Sequence, residues 1–478
     1  MPTLFGVRCV RDSLATTLHL TRFAAAGFIS AAALLSSAVL AQPTVTVSPA
    51  AGPPSENVSV SGSGFAASEG VQVSFDTTEL AFGATDSAGA FTRILLTIPA
   101  SATPGTHYVT AMGTLSGATA HARLIVRTNW SQFHFGPQHL GYNAFENVLT
   151  AANVGTMQIR WKAHIGAIAS SSPAVADGIL YAASTDHNLY ARDAATGQSI
   201  WSAVTGGPIV SSPAVANGMV YVASADDNLY AFDSKTGQLI WQTSLGGVGA
   251  SPVVVNGVIY VESYVPSNGG DNYIRALDGA TGQPLWSQSI GFTPSAPLAP
   301  AVDDGILYFT FSNQWLWDSE LDGHGILAKV MGCSSSPAVT NGVVYVGDGS
   351  SLAAIDAANF GVIWTAGTSG TVTSTPAIAN GVVYVGSSDH NLYAFNTVTG
   401  VQVWSAPTSG PVASSPAVAN GVVYVGSDDH NIYAFDAATG IQLWVGETAG
   451  SVNSSPAVVN GVVYVGSEDG YLYAFSLP

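Results

Sequence analysis

The chain carries eight versions of one segment, and the cleanest of them reads Ser415-Pro-Ala-Val-Ala-Asn-Gly-Val-Val-Tyr-Val-Gly-Ser-Asp-Asp-His-Asn-Ile-Tyr-Ala-Phe-Asp-Ala-Ala-Thr-Gly-Ile-Gln-Leu-Trp444. One proline marks each version, and the eight prolines, mostly 39 or 40 residues apart, are Pro173, Pro213, Pro252, Pro300, Pro337, Pro376, Pro416 and Pro456. A period near 40 residues with several short strands per unit is typical of a β-propeller with one four-stranded blade per repeat. We therefore expect an all-β fold dominated by an eight-bladed β-propeller, which can host enzymes, scaffolds and binding modules alike.

Each repeat divides into four short strands. Strand A is Ser-Pro-Ala-Val, an Asn-Gly turn leads into strand B (Val-Val-Tyr-Val-Gly-Ser), strand C is Leu-Tyr-Ala-Phe-Asp, and strand D ends in Trp. The last repeat stops after strand C, at Phe475-Ser-Leu-Pro478, whereas the segment Gln158-Ile-Arg-Trp161 precedes the first repeat. We predict that this segment supplies the missing strand D, because the pairing would close the ring and remove its exposed edges.

The part of the chain before the propeller shares no repeat with it. Short runs of alternating apolar and polar residues, such as Thr44-Val-Thr-Val-Ser, are separated by Gly and Pro turns and predict a small β-sandwich. The elements Gly62-Ser-Gly-Phe65 and Asp86-Ser-Ala-Gly-Ala-Phe91 resemble bacterial immunoglobulin-like modules. The predicted domains are an immunoglobulin-like β-sandwich at residues 43–127 and the propeller at residues 128–478.

Residues 1–41 have the features of an export signal peptide. Three arginines precede an apolar run that ends Val39-Leu-Ala41 before Gln42, which is a small-residue cleavage pattern. The alternative is a retained membrane anchor, since the run is just long enough to span a bilayer. After cleavage we expect no membrane span and an extracytoplasmic location: the periplasm, the cell surface or the medium.

The charge of the chain argues against one class of partner. The sequence has 12 Lys and Arg residues against 30 Asp and Glu residues, which gives a formal net charge of −18 at pH 7. Nucleic acids are bound through basic patches that neutralise phosphates. We therefore expect no nucleic-acid binding.

The segment Ala-x-Asp-x-x-Thr-Gly-x-x-x-Trp is the most specific motif of the repeat. It begins at Ala191, Ala231, Ala276 and Ala434. With the lead-in Trp130-Ser-Gln-Phe-His-Phe-Gly-Pro-Gln-His-Leu-Gly-Tyr-Asn143, it resembles the PQQ-type repeat of quinoprotein alcohol dehydrogenases and of the outer-membrane assembly lipoprotein BamB. The resemblance implies an eight-bladed propeller in which the Asp and Thr-Gly shape the C–D turn. It also implies that tryptophans dock blade against blade, namely Trp161, Trp201, Trp241, Trp286, Trp364, Trp404 and Trp444.

The resemblance does not bring a catalytic site with it. Quinoprotein dehydrogenases of this family hold pyrroloquinoline quinone (PQQ) between a tryptophan and a disulfide of adjacent cysteines, over a calcium ion. In this chain Cys333 has no neighbouring cysteine. The quinone carries three carboxylates, yet the propeller has few basic residues, which are Arg160, Lys162, Arg192, Lys235, Arg275 and Lys329. We therefore expect no cofactor, no metal and no catalytic residue, and PQQ and calcium belong only to an oxidoreductase alternative.

Blades 3 to 5 depart from the repeat. Blade 3 has about six extra residues between strands B and C, and blade 4 lacks both the regular tip and the Asp/Thr-Gly/Trp ending. Insertions on one face of a repeat protein often mark its binding surface. The candidate interaction face consists of Tyr264, Tyr273, Trp315, Trp317 and Cys333. The alternative is sequence drift, in which Trp317 replaces a core tyrosine.

The B–C turns of the regular blades form a second candidate site. Blades 1, 2, 6, 7 and 8 share an aspartate there: Asp186, Asp226, Asp389, Asp429 and Asp469. The next position in four of these turns holds His187, Asp227, His390 and His430. Such an arc could bind cations. Tight turns also require Asp and Asn, and tips on separate blades are too far apart to chelate one ion, so turn chemistry is the favoured interpretation.

Three functions fit these features. The favoured one is an exported, non-enzymatic binding or scaffold protein that presents a BamB-like propeller to a protein or ligand. The second is a PQQ-dependent oxidoreductase that uses the central funnel. The third is a carbohydrate- or cell-wall-binding surface protein, in which aromatic residues of blades 3 and 4 stack on sugar rings. The expected partner is an unidentified protein or glycan, and the protein is expected to be monomeric.

Overall fold

The computed structural model describes residues 42–166, 171–266, 270–292, 297–311, 315–324, 327–330 and 332–478. These residues form 42 β-strands and one short 3-10 helix, Val154–Thr156, which confirms the all-β class. Pro43–Pro478 make up one compact unit. The predicted signal peptide at residues 1–41 lies outside the described residues.

The first eight strands build two sheets that share one core. They are β1 (Thr44–Ser48), β2 (Ala51–Gly52), β3 (Asn57–Ser63), β4 (Gly70–Phe75), β5 (Thr78–Ala84), β6 (Phe91–Thr97), β7 (Gly105–Gly113) and β8 (Thr119–Val126). One sheet has the order β1-β3-β6 and the other has the order β2-β8-β7-β4-β5. Alternate residues point inward, so that Val58 and Val60 of the first sheet meet Val71, Val73 and Leu124 of the second in one buried cluster. These strands form a β-sandwich, and its immunoglobulin-like classification stays a prediction.

The remaining strands form eight antiparallel blades. Two strands precede blade 1: β9 (Tyr142–Asn143), which pairs in parallel with the first strand of blade 7, and β10 (Gln158–His164), which belongs to blade 8. Blades 1 and 2 contain β11 (Ala174–Ala176), β12 (Ile179–Ala183), β13 (Asn188–Asp193), β14 (Ser199–Val204), β15 (Ala214–Ala216), β16 (Met219–Ala223), β17 (Asn228–Asp233) and β18 (Leu239–Ser244). Blades 3 and 4 contain β19 (Val248–Gly249), β20 (Val253–Val255), β21 (Val258–Val265), β22 (Asp271–Asp278), β23 (Pro284–Phe292), β24 (Ala301–Asp303), β25 (Ile306–Phe311), β26 (Trp315–Glu320) and β27 (Leu327–Val330).

The second half of the ring repeats the same plan. Blades 5 and 6 contain β28 (Ala338–Thr340), β29 (Val343–Asp348), β30 (Ser351–Asp356), β31 (Val362–Gly367), β32 (Ala377–Ala379), β33 (Val382–Gly386), β34 (Asn391–Asn396) and β35 (Gln402–Pro407). Blades 7 and 8 contain β36 (Ala417–Ala419), β37 (Val422–Gly426), β38 (Asn431–Asp436), β39 (Gln442–Glu447), β40 (Ala457–Val459), β41 (Val462–Gly466) and β42 (Tyr471–Ser476). Together with β10 these strands form eight separate sheets, so the predicted eight-bladed propeller is confirmed.

The A–B turn of blade 7 shows why the repeat folds into hairpins. Asn420 and Gly421 have φ angles of +45° and +77°, and Ala419 pairs with Val422 directly across them. Positive φ at both central residues defines a type I′ turn, which an Asn-Gly pair adopts readily. All five residues of the following strand β37 are buried, because the blade is packed between two neighbours.

The ring is closed by the two ends of the propeller chain. Strand β10 runs antiparallel to β42, with Gln158 opposite Ser476 and Lys162 opposite Tyr473. The resulting sheet, β10-β42-β41-β40, is the eighth blade. The predicted closure is therefore confirmed, and it covers the edge that β42 would otherwise expose.

A tryptophan at the end of strand D ties each regular blade to the next. Trp404 of blade 6 donates a 3.0 Å hydrogen bond from Nε1 to the carbonyl oxygen of Ala437 in blade 7. Its indole also lies against Gly440 of the Thr-Gly turn of blade 7. The tryptophans that donate in this way to the adjoining blade are Trp161, Trp201, Trp241, Trp286, Trp364, Trp404 and Trp444.

The junction between blades 4 and 5 differs, because its aromatic side chain comes from blade 5 and not from strand D of blade 4. Blade 5 has Phe360 at the position where blade 7 has the turn glycine Gly440. Phe360 keeps the left-handed backbone conformation, with a φ angle of +55°. Its side chain belongs to the buried cluster that contains Tyr308 and Leu316 of blade 4. An aromatic side chain therefore still fills this junction, but blade 5 supplies it.

The lead-in segment, Trp130 to Asn143, passes around the inside of the ring and contacts strand A of each blade in turn. Trp130 pairs with Val175 of blade 1, and Asn143 donates from Nδ2 to the carbonyl oxygen of Val458 in blade 8. In the blades between them, the lead-in segment accepts a hydrogen bond from the backbone N–H of Val215, Val254, Val302, Val339, Ile378 and Val418. These bonds satisfy backbone groups that would otherwise face the axis unpaired.

Two buried histidines anchor the lead-in segment. The ring nitrogens of His134 lie 2.7 Å from the carbonyl oxygen of His139 and 2.8 Å from that of Pro416 in blade 7. Burial lowers the pKa of His134 to about 4, although both carbonyl contacts act in the opposite direction. Burial and the proximity of His134 lower the pKa of His139 to about 3. Burial thus favours the neutral form of both imidazoles.

Candidate functional site

The face that carries the B–C and D–A loops leads into a cavity on the propeller axis. Its volume is about 320 Å³. Seven of the eight residues that precede a strand-A proline line the cavity. One of them is Ala299, and the other six carry hydroxyl groups: Ser212, Ser251, Ser336, Thr375, Ser415 and Ser455. Phe133 of the lead-in segment also lines the cavity. A ring of hydroxyl groups therefore surrounds the axis beside one aromatic ring.

Neighbouring blades hold these hydroxyl groups in place. The backbone N–H of Ser415 donates to Ser455 Oγ at 3.0 Å, and that of Ser455 in blade 8 donates to Ser172 Oγ in blade 1 at 3.0 Å. Bonds of the same kind run from Ser172 to Ser212, from Ser212 to Ser251, from Ala299 to Ser336 and from Thr375 to Ser415. The hydroxyl oxygen of each of these serines is thus fixed as an acceptor, whereas that of Thr375 accepts no hydrogen bond from a described residue. The series is interrupted in blade 4, where Ala299 has no hydroxyl group.

The wall of the cavity is neutral and combines hydroxyl groups with aliphatic side chains. None of the described residues that line it is charged. Asn453 and the serine and threonine residues of blades 2, 3 and 5 to 8 form its polar part. The loops that enter blades 2 to 4 add aliphatic side chains, namely Val210, Val248 and Leu298. The cavity can therefore offer hydrogen bonds and an apolar surface to one ligand, but no ion pair.

The insertion of blade 3 is a lengthened hairpin. Strands β21 and β22 each have eight residues and stay paired as far as Val265 and Asp271. Tyr264 pairs with Asn272, whereas Tyr273 pairs with Ser263. Since directly paired side chains share a face and neighbours along a strand alternate, the two tyrosines lie on opposite faces of the hairpin. The structure therefore does not bring Tyr264 and Tyr273 together in one patch.

Tyr273 belongs to a small polar cluster on one face of that hairpin. The guanidinium carbon of Arg275 lies 4.6 Å from the centre of the Tyr273 ring. Arg275 also donates to the hydroxyl oxygens of Ser263 and Ser287, at 3.2 Å each. Burial lowers the pKa of Arg275, and the proximity of Tyr273 opposes the shift. Within the described part of the chain no carboxylate lies within 4.0 Å of this guanidinium.

The tryptophans of blade 4 have different positions. Trp317 is half-buried and stacks on Phe309, with 6.3 Å between ring centres. It packs against the cluster between blades 3 and 4, in the place of the tyrosine of regular blades. Trp315 begins strand β26 and pairs with Phe311, and its side chain lies outside the described residues. Trp317 therefore takes part in packing between blades.

Cys333 does not belong to an exposed face. Its side chain is fully buried in the cluster between blades 4 and 5, and its backbone forms a bridge with Asp348. Burial, followed by the proximity of Asp348, raises the pKa of the thiol to about 12. The expectation that Cys333 contributes to a contact surface is corrected: its position in a loop suggested exposure, but the loop packs inward.

A buried carboxyl group was missed by the sequence reasoning. In blade 7 the hydroxyl of Ser414 accepts the backbone N–H of Gly426. Blade 4 has Leu298 and Thr310 at the corresponding positions. Glu262 of blade 3 reaches across and accepts the backbone N–H groups of both. The only signal in the sequence is a glutamate at a position where the repeat has Gly or Ala.

The aspartates of the B–C turns make local hydrogen bonds. Asp389 accepts the backbone N–H of Asn391 at 3.1 Å, the hydroxyl of Tyr393 at 2.8 Å and the backbone N–H of Ser369 at 2.8 Å. The last bond ties the turn to the loop from the preceding blade. Corresponding Tyr-to-Asp bonds occur in the other four blades of the arc. This geometry is what turn chemistry requires.

The position after each aspartate has a left-handed backbone. His187, Asp227, His390 and His430 have φ angles between +70° and +74°. Blade 8 has Gly470 there, with a φ angle of +85°. Across the described part of the chain, no group of three or more His, Cys, Asp or Glu side chains is placed to hold a metal ion. The histidines therefore stand singly, one to a turn.

The family model described as "Outer membrane protein assembly factor BamB" matches residues 145–295, 229–321, 270–415 and 406–477. Together these matches extend over more than half of the chain. The chain therefore belongs to this family of PQQ-repeat β-propellers, as the resemblance predicted. No curated protein matches the sequence at a significant level.

Solved structures of the same fold include enzymes and an assembly factor. Quinohemoprotein alcohol dehydrogenase from Pseudomonas putida HK5 is 16% identical, with a TM-score of 0.62, and the match covers 73% of this chain and 80% of that one. The corresponding enzyme from Comamonas testosteroni is 15% identical, with a TM-score of 0.64 and the same coverage of 73% and 80%. BamB from Moraxella catarrhalis is 16% identical, with a TM-score of 0.57, and the match covers 67% of this chain and 97% of that one. At these identities the likeness establishes the fold alone.

The enzyme relatives raise the question of whether PQQ fits this chain. The described wall of the axial cavity offers hydroxyl, amide and aliphatic groups but no cationic side chain for the carboxylates of the quinone. Cys333 has no adjacent cysteine and is buried. The residues present therefore do not fit the quinone.

Within the described residues, no helix has the length and hydropathy needed to cross a bilayer.

Proposed function

We propose that the protein is an exported, non-enzymatic scaffold that binds a partner through the B–C/D–A face of blades 3 to 5. The lengthened hairpin of blade 3 carries this proposal. Its half-buried Tyr273 stacks on Arg275, a guanidinium without a carboxylate partner among the described residues. Aromatic and arginine side chains dominate the energetics of protein interfaces. A partner that supplies a carboxylate or carbonyl group would complete the bonding of Arg275.

Membership of the BamB family is consistent with such a role, since the family description names an assembly factor. The oxidoreductase alternative has less support, because the cavity wall does not fit the quinone. The third possibility, glycan stacking on blades 3 and 4, has less support because Tyr264 and Tyr273 lie on opposite faces of the hairpin and Trp317 packs between blades.

The export part of the proposal depends on the sequence. We infer that residues 1–41 are removed as a signal peptide and that the mature protein is a monomer with an immunoglobulin-like sandwich before the propeller. Labelling of the mature amino terminus tests the cleavage after Ala41. An intact amino terminus with tight membrane association would support the retained anchor instead.

Site-specific photo-crosslinking tests the binding face. A photoreactive amino acid is placed at position 264 or 273 of the full chain, produced and exported in bacterial cells. Position 430 serves as the matched control, since His430 lies on the same face in a regular blade. We expect a crosslinked partner from the blade 3 positions and none from the control. Equal crosslinking from all three positions would contradict the proposal.

The energetic test uses the captured partner. Arg275→Ala and Tyr273→Ala should each weaken its binding by about 2 kcal/mol, roughly thirtyfold, if they are central contacts. Tyr264→Ala combined with Trp315→Ala tests the other face of the blade 3 hairpin together with blade 4, and His430→Ala is the control. Unchanged affinity in every blade 3 and 4 variant would mean that this sector is not the interface.

The enzymatic alternative has its own experiment. The purified chain is incubated with PQQ and calcium and assayed for dye-linked oxidation of alcohols. We expect no turnover above a blank without protein. Turnover that depends on the quinone would overturn the non-enzymatic assignment.

A further inference from the structure

We propose that the axial cavity is a binding site for a neutral sugar, either a free monosaccharide or the uncharged end of a glycan. This inference concerns a different site from the partner face of blades 3 to 5 and does not depend on it. It follows from the hydrogen-bonding state of the wall, from its lack of charge and from its combination of hydroxyl groups with apolar side chains.

The first argument is the state of the hydroxyl groups. Ser212, Ser251, Ser336, Ser415 and Ser455 each accept one backbone N–H from a neighbouring blade. None of these five hydroxyls donates a hydrogen bond within the described residues, and a serine hydroxyl has one proton to donate. Their protons are therefore available to an acceptor inside the cavity, as is the hydroxyl of Thr375, which makes no hydrogen bond to any described residue.

The second argument is the absence of charge in the described wall. Serine and threonine hydroxyls and the Asn453 amide can each donate and accept, which matches the alternating donors and acceptors of sugar hydroxyls. A charged ligand would enter this cavity without a counter-ion, and desolvation of an unpaired charge is costly. The net charge of −18 further disfavours an anion.

The third argument is the apolar part of the wall. Val248 and Leu298 contribute aliphatic surface, and the half-buried Phe133 of the lead-in segment contributes an aromatic ring. A sugar ring has hydroxyl groups around its edge and C–H groups on its faces. It can therefore form hydrogen bonds with the hydroxyl groups of the wall and contact the apolar side chains at the same time. Covering the apolar surface contributes favourable free energy in proportion to the buried area.

The size of the cavity limits the ligand. A volume of about 320 Å³ lies near the lower end of small-molecule sites, which span about 300–1,000 Å³. This volume suits one or two sugar rings. A longer glycan would have to leave through the mouth, where Thr373 and Ala413 are exposed.

The test is saturation-transfer NMR with the purified full chain and named probes. The neutral probes are D-glucose, D-galactose, N-acetyl-D-glucosamine and their disaccharides, and the charged probes are D-glucuronate and D-glucosamine. Ala413→Trp places a large side chain in the mouth. Ala225→Trp is the matched control, since Ala225 is exposed on the same face in a B–C turn and does not line the cavity.

We expect at least one neutral probe to bind, with at least tenfold weaker binding in Ala413→Trp and unchanged binding in Ala225→Trp. Thr375→Val keeps the side-chain volume and removes one hydroxyl, so it should weaken binding about threefold to tenfold, the range of one neutral hydrogen bond. The unfolding midpoint of each variant shows whether it is folded. Three outcomes overturn the proposal: no neutral probe binds, Ala413→Trp binds as the parent does, or a charged probe binds better than its neutral analogue.

Discussion

Trp404 leaves room for no side chain on Gly440: a Cβ there would lie 2.7 Å from the indole Cδ2. The two residues belong to successive blades, and the indole Nε1 bonds to the carbonyl oxygen of Ala437 in the same turn. The Thr-Gly turn of one blade is thus shaped to receive the tryptophan of the blade before it. This contact explains why both residues recur together in the sequence.

Gly440→Ala should therefore destabilise the protein by more than its backbone angle explains. Gly421 in the same blade has a similar φ angle, +77° against +72°, but nothing lies within 4 Å of its missing Cβ. We expect Gly421→Ala to cost about 1 kcal/mol through backbone strain. Gly440→Ala should cost about 1–3 kcal/mol more, because the indole is forced to move. Urea unfolding of both variants gives the difference, and equal costs would contradict the role assigned to the indole.

Phe360 should be as important to its junction as a docking tryptophan. It is 7% exposed and packs among residues of blades 4 and 5. Phe360→Ala should lower the free energy of unfolding by about 3–5 kcal/mol, the usual cost of emptying such a site. The control is Phe82→Ala, since Phe82 in the sandwich is 63% exposed and should cost little. A similar effect of both substitutions, measured by urea unfolding, would refute this role.

The regular blades could be predicted from the sequence because each strand, turn and docking residue recurs at a fixed spacing. The closure by β10 followed from the same periodicity, because Trp161 stands alone before the first repeat and the last repeat lacks strand D. The replacement of a docking tryptophan by Phe360 could not be predicted from the spacing of the repeat. It requires knowing that a residue of blade 5 fills a space left by blade 4.

The candidate site was less predictable, because it depends on the direction of side chains. Tyr264 and Tyr273 are close in sequence, yet pairing across the hairpin puts them on opposite faces. Cys333 lies in a loop but packs inward. The series of hydroxyl groups is hard to recognise in the sequence, because a serine before a proline is unremarkable in a single repeat. Its signal was the recurrence of this residue in nearly every blade, with Ala299 as the exception.

Substitutions in the arc of B–C turns should change the stability of the protein as substitutions in structural turns do. They should not change any dependence of stability on metal ions. Asp389→Ala removes an acceptor used by two backbone N–H groups and a tyrosine, and it should cost about 1–3 kcal/mol. His390→Gly should cost nothing or stabilise by up to about 1 kcal/mol, because glycine accepts a φ angle of +70°. Thermal unfolding with and without millimolar zinc or calcium measures both effects. A cation-dependent midpoint that disappears in His390→Gly would contradict this prediction.

The ionised carboxylate of Glu69 should stabilise the sandwich at neutral pH, and this stabilisation should be lost in acid. Burial raises its pKa, but hydrogen bonds from Ser116, Ala66 and Leu115 outweigh it and bring the pKa to about 2. A depressed pKa in the folded state gives stability that is present above the unfolded pKa, about 4.5, and is lost as pH falls towards 2. Glu69→Gln should therefore lower the unfolding midpoint at pH 7 and have less effect near pH 2. A penalty that does not change with pH would rule out ionisation as its origin.

Glu262 should behave in the opposite way. Burial raises its pKa well above the ordinary value, against the lowering effect of the N–H groups of Leu298 and Thr310, and its Oε1 has no partner among the described residues. A raised pKa in the folded state means that stability is greatest below the unfolded pKa, about 4.5, and declines as pH rises. Glu262→Gln keeps an acceptor oxygen for the two N–H groups but removes the ionisation. The substitution should therefore raise the unfolding midpoint more at pH 8 than at pH 4, and paired scans with Glu69→Gln should show pH dependences of opposite sign. A gain confined to pH 4, or a loss at pH 8, would mean that the folded protein stabilises the Glu262 carboxylate in its charged form.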